Sequence, residues 1–158
     1  MYRIGFGNDI HKLEKGEVLT LGGVEIPSEL TAIGHSDADA LLHAVTDSIL
    51  GALALGDIGS HFSDIDDRWK NADSKMFLAE AVSLMWEKGF VVENLDSTIN
   101  LEKPKLRPHI DSMRNNLSEI LNVDLDCVSV KAKTGEGLDA IGECRAIKAE
   151  ACILLRKA

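Results

Sequence analysis

Two short segments of the chain carry residue types that bind metal ions in proteins. Asp9 and His11 stand two positions apart in a stretch predicted to be extended, so their side chains project from the same face of the backbone. His43 lies on a predicted helix, away from its apolar stripe, and His35 precedes that helix. Two histidines and one carboxylate would leave a fourth coordination position open, which is typical of catalytic rather than structural zinc.

The same residues also fit ordinary structural roles. An Asp-x-His pair can be a hydrogen-bonded surface pair, and a histidine away from the apolar stripe can simply be solvated. Asp37 and Asp39 are further carboxylates beside His35, and they equally suit capping of the helix that follows. The residue pattern alone therefore leaves both metal binding and structural roles open.

Two other segments suggest contacts to a ligand. Asp57 and the segment from Phe62 to Asp66 form an acidic loop, which is either a solvated turn or a set of acceptors for sugar or polyol hydroxyls. The segment from Lys131 to Glu136 leaves a predicted strand and enters a glycine-containing turn, where backbone N–H groups, a hydroxyl and lysines can contact phosphate. The chain has no Gly-x-Ser-x-Gly motif, and we predict no covalent nucleophile.

Composition restricts the class of protein. The 158 residues fit a single domain spanning 1–158, and the net charge of −9 argues against nucleic acid as a partner. Three cysteines without a Cys-x-x-Cys pair favour a reducing, cytoplasmic location. The apolar stretch between Asp47 and Asp57 is too short to span a bilayer, so we predict no membrane partner.

Hydrophobic periodicity predicts an α+β (α/β layer) fold. Gly22-Gly23 separates two short apolar runs, which predicts a hairpin. Leu50 lies off the apolar stripe of the first helix, which suggests coverage by another subunit. We expect a mixed four- to five-stranded sheet with helices packed on one face. The predicted strands are 2–13, 18–21, 24–26, 90–101, 128–133 and 146–156, and the predicted helices begin near Asp37, Asp73 and Pro108.

These segments occur together, in order, in one enzyme family. They are Arg3-Ile4-Gly5, Asp9-Ile10-His11, Gly22 through Pro27, His35-Ser36-Asp37 through His43, Thr46-Asp47, Gly51 through Gly59, Phe62 through Asp66, Ala72-Asp73-Ser74, Pro104 through Ile110 and Val130 through Thr134. The chain resembles the 2-C-methyl-D-erythritol 2,4-cyclodiphosphate synthases over nearly its whole length. The match is specific because the segments are otherwise unrelated to one another.

The resemblance implies a phosphorus–oxygen lyase of the non-mevalonate route to isoprenoid precursors. Such an enzyme converts 4-diphosphocytidyl-2-C-methyl-D-erythritol 2-phosphate to 2-C-methyl-D-erythritol 2,4-cyclodiphosphate and CMP. The 2-phosphate attacks the β-phosphorus within one molecule, so catalysis requires positioning and charge neutralisation. The resemblance also implies a homotrimer with active sites between subunits. Two divalent cations would explain how an acidic protein binds a polyanionic substrate containing cytidine diphosphate.

The resemblance assigns roles to individual residues. Asp9, His11 and His43 match zinc ligands, with a substrate phosphate in the fourth position, and Glu136 matches a ligand of Mg²⁺ or Mn²⁺. His35 and Thr134 match catalytic positions that stabilise the transition state. The substrate contacts that it implies are Ser36 at a phosphate, Asp57 and Gly59 at ribose, Asp64 at the erythritol hydroxyls, residues 101–107 around cytosine (Leu101, Pro104, Lys105, Leu106, Arg107), and also Ile58, Phe62, Asp66, Lys133 and Gly135.

The chain departs from the common family pattern near its last turn. Many members have Phe where this chain has Ala140, and an arginine where it has Glu143. In those members the two side chains line a cavity on the trimer axis that holds an isoprenoid diphosphate. Because Glu143 would repel a diphosphate, we do not extend that property to this chain. A metal-dependent phosphohydrolase and a metal-stabilised binding module remain alternative functions.

Overall fold

A computed structural model describes residues 1–63 and 65–158, and within them the chain forms seven strands and five helices. The strands are β1 (Tyr2–Lys15), β2 (Val18–Leu21), β3 (Val24–Pro27), β4 (Leu30–Ile33), β5 (Phe90–Asn100), β6 (Val128–Lys133) and β7 (Ala146–Lys157). The helices are α1 (Ala40–Ala52), α2 (Ile58–His61), α3 (Ser74–Glu87), α4 (Ile110–Leu121) and α5 (Asp139–Gly142).

The main sheet has five strands in the order β4–β1–β7–β5–β6. Strands β5 and β6 are parallel, whereas the other neighbouring pairs are antiparallel. Strands β2 and β3 form a separate hairpin, and both of its turn glycines have positive φ, +59° at Gly22 and +70° at Gly23. This conformation is the one expected of a tight primed turn. The predicted mixed sheet and hairpin are therefore confirmed.

The helices cover one face of the sheet. Along β1, the side chains that face α1 are small or partly buried, and Gly5 and Gly7 let the helix approach the strand closely. The alternate side chains Tyr2, Ile4 and Phe6 are between 60% and 72% exposed. Strand β7 repeats the pattern, with Ile153 and Leu155 buried against the helices. Because successive side chains of a strand point to opposite faces, this alternation identifies the covered face and the open face.

Helix α1 is the most enclosed element of the fold. Its N-cap, Asp39, is fully buried, and its carboxylate accepts hydrogen bonds from the backbone N–H groups of Leu42, Gly22 and Gly23. These bonds join the start of α1 to the β2–β3 turn and satisfy the buried carboxylate. Leu50 is completely buried within a single chain. The expectation that another subunit covers Leu50 is therefore wrong.

The remaining helices begin close to their predicted starts. Asp73 is the N-cap of α3 and accepts a hydrogen bond from Lys75 N–H at 2.9 Å. Pro108 lies in a 3₁₀ turn, Arg107–His109, so α4 begins two residues later than predicted. Proline fixes φ in the helical range but donates no hydrogen bond, and it suits this tighter first turn as well. In the described part of the chain, no helix has the length and apolarity needed to cross a membrane.

Candidate active site

Asp9, His11 and His43 form one compact cluster. His11 Nε2 lies 2.7 Å from Asp9 Oδ2, and His43 Nδ1 lies 3.0 Å from the same oxygen. The two histidine nitrogens are 3.2 Å apart. Strand β1 supplies Asp9 and His11 from one face, and α1 packs across that face and brings His43 to them. The predicted convergence of the three side chains is confirmed.

The cluster is electrostatically coupled. Burial alone would raise the pKa of Asp9, but hydrogen bonds and charge from His11 and His43 outweigh it and lower that pKa to about 2. Burial alone would lower the pKa of His11, but the hydrogen bond and charge of Asp9 outweigh it and raise that pKa. The Asp9 carboxylate is therefore ionised at neutral pH, as a metal ligand must be.

The three ligand atoms suit a metal ion. All lie within 4.8 Å of one another, and they belong to one carboxylate and two imidazoles. Bonds of about 2.0–2.1 Å to a tetrahedral ion would place such atoms roughly 3.3 Å apart, close to the observed separations. Three protein ligands would leave one coordination position for another molecule.

A cavity of about 420 Å³ opens beside the cluster. His35 and Ser36 line it, with Ser36 Oγ 3.1 Å from His43 Nε2 and His35 Nε2 3.1 Å from the carbonyl oxygen of Asp66. Three aromatic rings form its wall: the centroids of Phe62 and Phe77 are 4.5 Å apart, and Trp69 packs edge-on against both. The cavity therefore joins a candidate metal cluster, polar side chains and an apolar wall.

The acidic loop borders this cavity. Asp57 caps α2 by accepting a hydrogen bond from Ser60 N–H at 2.8 Å, and hydrogen bonds from Ser60 lower its pKa. Asp47 on α1 accepts from Ile58 N–H at 2.7 Å, which holds α2 beside His43, and burial raises the pKa of Asp47. Ile58 and Gly59 line the cavity.

Asp64 and Asp66, at the end of this loop, are both predicted to contact the substrate. The Asp66 carboxylate is held by Arg68, whose Nη2 lies 2.6 Å away, and its hydrogen bonds with Arg68 lower the pKa of Asp66. Asp66 is also the N-cap of a 3₁₀ turn, Asp67–Trp69, where its carboxylate accepts from the backbone N–H of Arg68 at 3.0 Å. Its contact with substrate stays a prediction. Asp64 lies outside the described residues.

A second cavity, of about 450 Å³, lies at the far edge of the sheet. Its lining combines a loop after β5 with the end of β6. The predicted residues that line it are Leu101, Pro104, Lys105, Leu106, Arg107, Lys133 and Thr134. Lysines and an arginine give this cavity a positive charge that contrasts with the acidic chain. An anionic ligand with an apolar group would suit it.

The turn after β6 is tied to this loop. Thr134 Oγ1 donates a hydrogen bond to Glu136 Oε1 at 2.9 Å, and Gly135 N–H donates to Glu102 Oε2 at 2.9 Å. Leu101 N–H donates to the carbonyl oxygen of Lys133 at 2.9 Å. Glu136 has a φ of +52°, a left-handed conformation that is uncommon for glutamate and frequent at functional sites.

The two cavities remain separate within one chain, and they share no lining residue. The cluster, His35, Ser36 and the acidic loop belong to the first, whereas Thr134, Lys133 and the residues of the 101–107 loop belong to the second. Glu143 and Arg145, beyond the turn, form an ion pair at 2.6 Å within the chain. One chain therefore places the predicted site residues in two separate cavities.

Several residues at the site were not predicted from the sequence. Trp69 lines the first cavity, and Phe77 does too although its spacing assigned it to the core. Ser74 was predicted only to begin a helix, but its Oγ lies 2.7 Å from His43 Nε2. Glu102 supports the turn at Gly135. Single aromatic, serine and glutamate residues give no periodic signal, so only the packing of distant segments identifies them.

Comparison with known proteins shows close relatives of this chain. A model of the YgbB family matches residues 2–156. A 2-C-methyl-D-erythritol 2,4-cyclodiphosphate synthase of Brachyspira hyodysenteriae is 54% identical over 155 residues, which cover 98% of each chain. The synthase of that name from Salinibacter ruber is 49% identical over 99% of each chain. A Plasmodium falciparum structure described as an IspF CDP complex has a TM-score of 0.88 and 39% identity, and the match covers 99% of this chain and 96% of that one.

Proposed function

The chain belongs to the YgbB family, and from this we propose that it forms 2-C-methyl-D-erythritol 2,4-cyclodiphosphate and CMP in isoprenoid biosynthesis. Its substrate is 4-diphosphocytidyl-2-C-methyl-D-erythritol 2-phosphate. The observation that carries the proposal is the convergence of Asp9, His11 and His43. Relatives that match the chain over nearly their full length are named 2-C-methyl-D-erythritol 2,4-cyclodiphosphate synthase. The complex of a related structure with CDP supports a cytidine nucleotide as the substrate class.

We propose that the cluster holds Zn²⁺ through Asp9 Oδ2, His11 Nε2 and His43 Nδ1. Two imidazoles and a carboxylate are a frequent ligand set for catalytic zinc. When bound, the ion would supply Lewis-acid stabilisation of phosphate charge. His35 and Ser36 line the cavity beside the cluster, and we propose that their imidazole and hydroxyl groups donate hydrogen bonds to a substrate phosphate.

In the reaction, an oxygen of the 2-phosphate attacks the β-phosphorus and a new phosphorus–oxygen bond forms. The bond from the β-phosphorus to the oxygen that bridges it to the α-phosphorus breaks, and CMP departs with that oxygen. Both groups belong to one molecule, so holding them in line supplies much of the rate acceleration. Thr134 and Lys133 line the second cavity, and we propose that their hydroxyl group and positive charge stabilise the diphosphate.

The protein acts, we propose, as a homotrimer in the cytoplasm, with each active site assembled from two subunits. The two cavities lie apart in one chain, and the open face of the sheet carries Tyr2, Ile4, Phe6 and Ile10, each at least 60% exposed. An apolar patch of this kind marks an interaction surface.

Light scattering is expected to give three times the chain mass. The Phe6→Asp variant should dissociate, since it introduces three charges into the interface. A monomeric parent protein would contradict the assembly.

Product analysis tests the reaction itself. With the purified protein, substrate and both cations, CMP should form in a 1:1 ratio to consumed substrate, without inorganic phosphate. A phosphohydrolase would use the open metal position to activate water and would release phosphate. A binding module would release neither product. Phosphate release, or the absence of CMP, would therefore overturn the proposed function.

Glu136 is proposed to hold Mg²⁺ or Mn²⁺ at the diphosphate. The Glu136→Gln variant keeps the shape of the side chain but removes its charge, so the half-saturating Mg²⁺ concentration for CMP formation should rise by about tenfold, ~1.4 kcal/mol of binding. Zinc content should not change, because Glu136 is not part of the cluster. Glu102→Gln is the matched control, because it removes a neighbouring negative charge but leaves an acceptor for Gly135 N–H, and it should not change the Mg²⁺ titration. An unaltered Mg²⁺ titration in Glu136→Gln would exclude this role.

A further inference from the structure

His43 has a second contact on the side away from the cluster. Its Nδ1 faces Asp9 and His11, whereas its Nε2 lies 2.7 Å from Ser74 Oγ and 3.1 Å from Ser36 Oγ. Ser74 Oγ is in turn hydrogen-bonded to Asp37 Oδ1. Ser74 is fully buried, at the first position of α3, and His43 is only 9% exposed. A chain of contacts therefore runs from Asp37 through Ser74 to the ring of His43.

The direction of the hydrogen bonds follows from the chemistry of the groups. A serine hydroxyl has one proton, and an ionised carboxylate accepts hydrogen bonds but donates none. Ser74 must therefore donate to Asp37, which leaves its oxygen only as an acceptor toward His43. His43 Nε2 must then carry a proton. With a proton held on Nε2, the lone pair of Nδ1 would be the one offered to a metal ion that binds between Asp9, His11 and His43.

We infer that Ser74 and Asp37 are positioning residues that fix His43 in the tautomer and orientation required for metal binding. This inference rests on the proposed zinc role of the cluster. A metal-binding histidine generally donates its other ring N–H to an acceptor, and loss of that acceptor typically weakens metal affinity. Here the acceptor is a hydroxyl, and its own orientation is set by a carboxylate.

A purely structural role does not account for the Ser74 hydroxyl. Asp37 also accepts from the backbone N–H groups of Asp39 and Ser74, at 3.2 and 3.1 Å, so its carboxylate does link α1 to α3. Helix α3, however, already has its own cap in Asp73. The hydroxyl of Ser74 adds nothing to that cap. Its two hydrogen-bond partners are Asp37 and His43, and His43 belongs to the cluster.

The test measures zinc affinity without substrate, so it is independent of turnover. Wild-type and Ser74→Ala proteins are titrated with Zn²⁺ against a chromophoric chelator near neutral pH. We expect affinity to fall by about 10- to 100-fold in Ser74→Ala. Asp37→Asn should change affinity in the same direction, because Ser74 then loses its acceptor-only partner. Ser48→Ala is the matched control: it is a buried serine of α1 whose hydroxyl donates only to the Val45 carbonyl at 2.7 Å.

Nitrogen NMR of the metal-free protein, labelled with ¹⁵N in histidine, reads the tautomer directly. The wild-type His43 ring should carry a proton on Nε2, and Ser74→Ala should show reduced protonation of that nitrogen. Equal zinc affinities in Ser74→Ala and Ser48→Ala would overturn the inference. An unprotonated Nε2 in the wild-type ring would also overturn it, without requiring any variant to fold. Product analysis of the wild-type protein tests the proposed function separately.

Discussion

The His43→Ala variant should lose bound zinc and almost all formation of CMP. His43 contributes one of the three ligand atoms, and two ligands do not suffice for a tightly held tetrahedral ion. Removal of a Lewis acid at a reacting phosphate costs several kcal/mol of transition-state stabilisation, so we expect CMP formation to slow by about 10³-fold, or ~4 kcal/mol. Metal content by mass spectrometry and the rate of CMP release measure the two effects.

This variant should nevertheless stay folded. The apolar contacts of α1 come mainly from residues such as Leu41, Leu42 and Ile49, which the substitution leaves in place. His61→Ala is the control, because His61 is exposed and contacts the Leu55 carbonyl rather than the cluster. It should retain its zinc. A zinc stoichiometry in His43→Ala equal to that of the wild type would refute the ligand assignment.

The Gly7→Ala variant should be strongly destabilised and should also lose zinc. A Cβ atom at Gly7 would lie 2.0 Å from the carbonyl oxygen of Ala44 and 2.7 Å from the N atom of Ser48. Both are backbone atoms of α1, so the helix must move away from β1. Overpacking typically costs 1–3 kcal/mol, and contact with backbone leaves little room for relaxation, so we expect roughly 3 kcal/mol or more. Urea unfolding measures this change in the free energy of unfolding.

The same displacement acts on the site. Asp9 and His11 lie on β1 and His43 on α1, so a wider gap between these elements separates the three ligand atoms. Gly51→Ala is the control, because the nearest atom of another element to its Cβ would be the carbonyl oxygen of Phe6, 3.8 Å away. Alanine also favours a helix over glycine by about 1 kcal/mol. Gly51→Ala should therefore retain both stability and zinc, and equal stability of the two variants would contradict the proposed role of close β1–α1 packing.

Local patterns predicted most of the secondary structure correctly. Alternating apolar residues identified β5 and β7, and Gly22-Gly23 identified the hairpin, because periodicity and turn chemistry depend on neighbouring residues. Helix capping by Asp73 was likewise apparent from sequence. Pro108 gave an inexact boundary, because proline is tolerated in both a 3₁₀ turn and the first turn of an α-helix.

Burial was harder to predict than helix formation. The apolar stripe of α1 suggested one covered face, yet the helix is enclosed on nearly all sides and Leu50 is completely buried. A helical wheel reports which face is most apolar, but it does not report how many other elements pack against the helix. The second side of α1 is covered by α3, which begins 22 positions after α1 ends, and no local pattern indicates that contact.

The candidate site likewise has one part that local sequence patterns predict and another that depends on tertiary packing. Residue types and the two-residue spacing of Asp9 and His11 fixed which side chains share a face of β1, because strand geometry is local. The resemblance to a known family selected His43 rather than His35 as the third ligand, and it added Glu136 and Thr134. The approach of His43 to Asp9 depends on Gly5 and Gly7, which let α1 lie directly against the strand. The contact of Ser74 with His43 likewise depends on α3 reaching α1, because groups far apart in sequence meet only when the helices have packed on the sheet.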